Sequence, residues 1–158
     1  MGKVLVAFFS ASGVTKGLAK KLARAAEADL LEIAPKIPYT PADLDWRDSN
    51  ARSTIEMKDP GSRPEIAGVF EGMEAYDTLF VGFPIWWYVA PTIINTFLEQ
   101  YDLAGKTLIP FATSGGSDMG KTNEKLLSSC PGARLLEGKV LDAEASEEEL
   151  KSWIRELL

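Results

Sequence analysis

The sequence contains no histidine. That excludes imidazole as a general base, the Ser/His and Cys/His nucleophile pairs, and any histidine-ligated metal or haem. Cysteine is nearly as scarce: Cys130 stands alone, so no internal disulfide can form and an iron–sulfur cluster lacks its thiolates. A lone thiol suits a reducing cytoplasm, which is the compartment the sequence predicts. No apolar run approaches the ~20 residues that cross a bilayer. The opening M-G-K-V-L-V-A-F-F-S has one lysine and an apolar stretch too short for a secretory signal, so it reads as mature protein. Positive charge is in deficit, with 17 Lys and Arg against 23 Asp and Glu for a net charge of −6. This excludes nucleic acid and an anionic membrane surface as principal partners. The dinucleotide fingerprint G-x-G-x-x-G is missing as well.

What remains is the composition of an ordinary globular domain, 158 residues with 46% apolar and 25% charged, enough for one core and too few for two. Residues 3–9 are nearly all apolar and β-prone and stop at Ser10, Ala11, Ser12 and Gly13, which predicts a strand buried on both faces and then a tight turn. Over residues 14–26, Leu18, Leu22, Ala25 and Ala26 recur at helical spacing, with Lys16, Lys20, Lys21 and Arg24 between them. Further strands are predicted over residues 30–33, 78–83, 107–112 and 135–141, and Pro110 in the fourth strand signals a bulge or local edge. A helix is predicted from Pro91, with Ile93, Ile94, Phe97, Leu98 and Tyr101 as its stripe, and a weaker one around Leu126 and Leu127. The last helix follows the capping box of Ser146 and Glu149 and carries Leu150, Trp153, Ile154 and Leu157 on one face. Strand alternating with helix predicts a parallel sheet covered on both sides. Residues 35–68 break that rhythm with five prolines and a predicted helix over about 42–57. A stretch this long is either a lid or a helix with irregular flanks.

Three loops carry the chemistry, and each follows a predicted strand. The first, S-A-S-G-V-T, offers the hydroxyls of Ser10, Ser12 and Thr15 and the free amides of a helix N-terminus, with Gly13 letting the backbone curl. A phosphate needs several donors aimed at one point, and a helix N-terminus favours an anion by ~0.3–1 kcal/mol at an exposed site. The plainer alternative is a capped helix, with Ser12 as its cap. In the second loop, F-P-I-W-W-Y, Trp86 and Trp87 cannot both enter one core from a strand, because successive side chains point to opposite faces. One of them is then free to hold a planar ring; the alternative packs Ile85, Trp86 and Tyr88 on the following helix. The third, T-S-G-G-S-D-M-G, sets Thr113, Ser114 and Ser117 among Gly115, Gly116 and Gly120, so its amides can approach a ligand unobstructed unless it is merely a linker. Asp118 is predicted to start the next helix. Open α/β sheets bind ligands outside the carboxyl ends of their strands. Together the loops predict a ligand with one phosphate and a planar polar ring.

In the order and spacing of these motifs the chain resembles the short flavodoxin-like FMN-binding family, the flavodoxins, over essentially its whole length. The resemblance rests on a Ser-x-Thr/Ser-Gly-x-Thr loop at residues 10–15, a G-x-P-I-W-W stretch at 82–87 and a P-F-x-T-S-G-G-S stretch at 110–117. It implies a single flavodoxin-like domain over residues 1–158, a three-layer α/β sandwich around a five-stranded parallel sheet of order 2-1-3-4-5, and non-covalent FMN. It implies that Ser10, Ala11, Ser12, Gly13, Val14 and Thr15 hold the phosphate. Pro84, Ile85, Trp86, Trp87 and Tyr88 would line the isoalloxazine, and Thr113, Ser114, Gly115 and Gly116 its polar edge. No catalytic residue and no metal are expected. Tyr88 departs from the family, standing where glycine often follows the tryptophans, and a bulky residue resists the peptide rotation that in flavodoxins steadies the one-electron-reduced ring.

The function this implies is electron transfer between redox partner proteins, a reductase and an acceptor, with the flavin doing the chemistry and the protein setting its potential. The alternative is an NAD(P)H-dependent FMN reductase acting on quinones or other small acceptors, with Tyr39, Trp46 and the long second crossover closing over the substrate. A third reading is a non-redox module that binds flavin or another phosphate ligand.

Overall fold

The computed structural model of the chain describes residues 3–114 and 118–158. The strands β1 (Lys3–Phe8), β3 (Tyr76–Pro84) and β4 (Thr107–Thr113) are apolar on both faces. Because successive side chains alternate, Leu5, Ala7, Leu79, Val81, Phe83, Leu108 and Ala112 enter one core while Val6, Phe8, Phe80, Ile109 and Phe111 enter the other. Strands of this kind need cover on each side. Helices α1 (Val14–Ala26) and α5 (Glu147–Leu157) cover the second core with Leu18, Leu22, Leu150 and Trp153. Helices α3 (Thr92–Glu99) and α4 (Thr122–Leu126) cover the first with Ile93, Ile94, Phe97, Leu98 and Leu126. Each such aliphatic or aromatic side chain contributes ~1.5–3 kcal/mol on burial. The Phe111 ring lies directly over Gly82, where a Cβ would sit 2.2 Å from it.

All strand pairings in the sheet are parallel, and with β2 (Asp29–Glu32) at one edge and β5 (Arg134–Leu135) at the other the order is β2-β1-β3-β4-β5. This is the expected order of a flavodoxin-like α/β sandwich. The strand expected over 135–141 is split: β5 ends at Leu135, and β6 (Lys139–Val140) resumes the pairing with β4. Pro110 explains the break. Leu136 N–H donates to Leu108 O at 2.9 Å and Leu141 N–H to Ala112 O at 2.8 Å, so even-numbered positions of β4 face this edge. Pro110 has no N–H to offer there. Gly138, between the two short strands, packs so close that a Cβ would lie 2.6 Å from Pro110 O.

The helix expected over 42–57 is mostly absent. A 3₁₀ turn over Ala42–Leu44 and a short α2 (Arg52–Lys58) replace it. Between them Asp45 Oδ1 accepts from Arg47 N–H (3.1 Å) and Asp48 Oδ1 from Asn50 N–H (2.9 Å). These local bonds offer the backbone an alternative to helix. The segment is also anchored at both ends, which argues against a free lid. Pro35 bridges Ile66, Arg63 forms a bidentate pair with Glu99 (2.8 and 3.0 Å), and the hydroxyls of Ser62 and Thr92 lie 2.8 Å apart. At the end of the chain, α5 starts as predicted, with Ser146 Oγ accepting from Glu149 N–H at 3.2 Å. Among the described residues no helix is long and apolar enough to cross a membrane.

Candidate functional site

The first loop leaves β1 and turns into α1 through Gly13, whose φ of 93° is open to glycine without strain. Gly13 holds the N-cap position, and the side chain that bonds the helix start is Ser10 and not Ser12: Ser10 Oγ accepts from Gly13 N–H (3.0 Å) and Lys16 N–H (3.2 Å), while Ser12 is exposed. A hydroxyl that accepts twice still has its own proton to donate. The amides of Ser12, Val14 and Thr15 have no acceptor among the described residues, and the first turn of α1 contains no acidic side chain. The positive end of the helix therefore stands uncompensated. Thr15 is 2% exposed, and its Oγ1 lies 2.8 Å from Thr113 Oγ1, tying the first loop to the third. Whichever hydroxyl donates in that pair, the other retains a proton for a ligand.

The second loop is a turn. Trp86 N–H donates to Val89 O (3.0 Å) and Val89 N–H to Trp86 O (3.2 Å), with Trp87 at φ 50° and Tyr88 at φ 65° between them. Two central residues at positive φ are the pattern of a type I′ turn, which favours Asn-Gly. For other L residues the left-handed region costs ~1–2 kcal/mol each. The turn is clasped from the third loop: Lys121 N–H donates to Tyr88 O at 3.1 Å, and Gly120 packs so close that a Cβ would lie 2.4 Å from that oxygen. The two tryptophans do separate, but the turn and not strand alternation parts them, since β3 ends at Pro84. Trp87 and Tyr88 are 44% and 58% exposed. Trp86 packs edge-on against Phe9 and Tyr39, with ring centroids 5.8 and 5.6 Å away.

Tyr39 brings the long crossover to this wall. Its hydroxyl donates to the Glu56 carboxylate, the Arg52 guanidinium lies 3.8 Å above its ring, and Arg52 pairs with Glu56 at 3.0 Å. Burial first, and then the bond to Glu56 and that group's charge, push the Tyr39 phenol well above its ordinary value of 10.0. Trp46, the other crossover residue expected near a substrate, is 69% exposed, with Arg47 5.8 Å from its ring.

At the carboxyl ends of the central strands lies an open cleft of about 590 Å³, within the size range of small-ligand sites. Ser12 and Val14 of the first loop line it, with Pro84, Ile85 and Trp86 of the second and Thr113 and Ser114 of the third. Ser10, Ala11, Gly13 and Thr15 build the loop behind without lining the cleft, as do Trp87 and Tyr88 on the turn. Gly115 and Gly116 lie outside the described residues. A fourth wall escaped the sequence reading: Val140, the last residue of β6, with Leu141, Asp142 and Ala143 after it. Lys21 steadies it, its Nζ donating to Ala143 O and Ala145 O at 2.8 Å each. The available signal was positional, since a fifth strand must also end at this edge.

The nucleotide phosphate loop, read from the sequence as absent, is present as a pattern in the third loop. Residues 115–122 spell G-G-S-D-M-G-K-T, which matches the nucleotide phosphate loop G-x-x-x-x-G-K-[ST]. Its surroundings do not serve that role. The hydroxyl expected on a magnesium ion belongs to Thr122, which is fully buried and donates to Met119 O at 2.5 Å. The Lys121 amide is committed to Tyr88, and α4 runs only from Thr122 to Leu126. Asp118 does not start that helix; its Oδ1 accepts from Gly120 N–H at 2.8 Å in a local turn.

A parallel sheet of this order, with a ligand-sized cleft at its carboxyl edge, defines the doubly wound α/β proteins that bind at the switch point. The family model described as Flavodoxin matches residues 3–157, and the chain belongs to the flavodoxin family. It is similar to two solved structures from Bacteroides, each described as a flavoprotein. The one from B. eggerthii is 46% identical with a TM-score of 0.92, covering 98% of this chain and 97% of its own. The one from B. uniformis is 48% identical with the same TM-score, covering 98% of each chain. A flavoprotein from Lactobacillus acidophilus, solved in complex with FMN, shares the fold at 24% identity and a TM-score of 0.72, covering 98% of this chain and 99% of its own. No curated protein matches the chain.

Proposed function

We propose that this chain is an FMN-binding carrier that passes electrons between redox partner proteins, a reductase and an acceptor, in the cytoplasm. The observation that carries the proposal is the convergence of Ser12 and Val14, Ile85 and Trp86, and Thr113 and Ser114 on one cleft. Family membership and the FMN found in the L. acidophilus relative support the same cofactor here. The phosphate is assigned to the loop of Ser10, Ala11, Ser12, Gly13, Val14 and Thr15, whose unpaired amides and remaining hydroxyl protons suit a dianion. The ring is assigned to Pro84, Ile85 and Trp86, with the exposed Trp87 and Tyr88 outside them, and its polar edge to Thr113, Ser114 and the glycines that follow. When bound, FMN supplies one- or two-electron transfer; the protein's part is to hold and orient the ring and exclude water from one side.

The alternative, an NAD(P)H-dependent FMN reductase acting on quinones or other small acceptors, has one observation in its favour. Tyr39 of the long crossover packs on Trp86, a wall of the cleft. Trp46 does not join it. Anaerobic reduction of the FMN-loaded protein separates the two readings. A carrier is bleached by a reductase system and not by NADPH alone, whereas turnover with NADPH and a quinone in the absence of any partner protein contradicts the carrier assignment. Release of FAD, or failure to take up FMN at all, contradicts both.

A further inference from the structure

Among the described residues, Tyr39 combines two features that no other tyrosine shares. Its ring touches a tryptophan that lines the cleft, and its hydroxyl donates to a carboxylate. Tyr76 also donates to a carboxylate, Asp29, but its ring neighbour is Phe70; Tyr101 packs on Phe97. Phe9, 1% exposed, wedges against both Trp86 and Tyr39 and keeps water from that side of the pair.

We infer that Trp86, Tyr39 and Glu56 form a one-electron relay that carries an oxidising equivalent out of the cofactor cleft when the isoalloxazine is photoexcited. The inference rests on the flavin placement proposed above. Trp86 gives one electron to the excited ring and is left as an indole radical cation. Tyr39 then returns one electron to Trp86 across the edge contact while its phenolic proton moves along the existing hydrogen bond to Glu56. The balance is one electron gained by the flavin, one neutral phenoxyl radical on Tyr39 and one protonated carboxyl on Glu56. Return of that electron and proton restores all three groups, so the tryptophan wall is spared lasting oxidation.

The geometry fits each step. The Trp86 and Tyr39 rings are in direct contact, with centroids 5.6 Å apart, so electron exchange needs no intervening group. An oxidised phenol is a far stronger acid than a phenol, and the Glu56 carboxylate already accepts its proton. The Arg52 guanidinium 3.8 Å above the Tyr39 ring is favourable to a neutral aromatic face and repels a positively charged one. Electron and proton must therefore leave Tyr39 together. The phenol stays protonated at neutral pH, so the proton is present when needed.

Two experiments on the whole protein test the relay. In flavin-free protein, pulse radiolysis with azide radicals oxidises tryptophan directly, with no cofactor involved. An indolyl signal that converts to a phenoxyl signal, more slowly in D2O, is expected. That phase should be lost in Trp86→Phe and in Tyr39→Phe, and slowed in Glu56→Gln. A phase that survives Tyr39→Phe unchanged, or a native protein with no such phase, overturns the relay. In FMN-loaded protein, flash excitation should give the same phenoxyl signal, and Trp86→Phe should restore flavin emission. If the radiolysis phase behaves as expected but flavin emission ignores Trp86→Phe, the flavin placement is contradicted, and with it the assigned oxidant.

Discussion

The loop after β1 and the turn after β3 border the same cleft, yet they are built by opposite rules. The first uses small residues, and its one left-handed position is a glycine, Gly13. Its polar groups are arranged so that amides and hydroxyl protons remain to be offered. The second is made of large aromatic residues, and its two left-handed positions are Trp87 and Tyr88. What the turn gains is wall area for a planar ring; what it costs is ~1–2 kcal/mol of backbone strain per residue. That strain is offset by the clasp from Gly120 and Lys121 and by Trp86 packing on Phe9 and Tyr39. A relaxed loop suits a ligand group held by many equivalent donors. A strained turn suits one held by shape.

The largest effect should follow from breaking the first loop's donors. In Thr15→Ala the hydroxyl assigned to the phosphate is gone, and a charge-assisted hydrogen bond of ~1.5–3 kcal/mol corresponds to a roughly ten- to hundredfold weaker FMN dissociation constant. Riboflavin, which lacks the phosphate, should lose much less; equal losses by calorimetry would reduce Thr15 to its bond with Thr113.

Backbone conformation should distinguish the two loops by sign. Gly13→Ala meets no atom within 4 Å of its new Cβ, so it isolates the conformational term and should destabilise the ligand-free protein by about 1–2 kcal/mol. Tyr88→Gly should do the reverse, raising stability by up to ~1 kcal/mol because the strain disappears with the exposed ring. Urea midpoints read both. Destabilisation by Tyr88→Gly would mean that the Tyr88 side chain contributes more than its backbone costs.

A smaller effect sharpens the account of the Trp86 wall. Tyr39 is held protonated in the folded state above its ordinary 10.0, so its contribution to stability is complete below that value and drains as pH rises beyond it. Tyr76, raised first by its hydrogen bond to Asp29, behaves the same way. The thermal midpoint of the native protein should therefore fall above about pH 10, and Tyr39→Phe should fall less steeply. Parallel curves would place Tyr39 in water and detach the crossover from the cleft.

How far the sequence spoke depended on whether the cause was local. The three long strands and α1, α3 and α5 follow from apolar periodicity, and α5 starts at its capping box. Their order in the sheet was implied by the family resemblance. The break between β5 and β6 was visible only as Pro110; which edge of β4 its missing N–H faces depends on pairing that the sequence does not display. Residues 42–57 were expected as a helix but contain Asp45 and Asp48, whose side chains bond the backbone two residues on. At the site, the small-residue loop could be read directly, though Ser10 and not Ser12, the candidate of the plainer alternative, bonds the helix start. The left-handed turn at Trp87 and Tyr88 contradicts local preference and is held by residues some thirty positions away. The wall of Val140, Leu141, Asp142 and Ala143 has no composition to announce it.

The central claim is that the loop after β1 grips a phosphate while Ile85 and Trp86 receive the ring it carries. Calorimetric titration of the ligand-free protein with FMN and with riboflavin tests it most directly. One FMN per chain is expected, bound at least about tenfold more tightly than riboflavin, with tryptophan emission quenched by both flavins and the quenching lost in Trp86→Phe. Equal affinity for the two flavins, or quenching indifferent to Trp86, would contradict it.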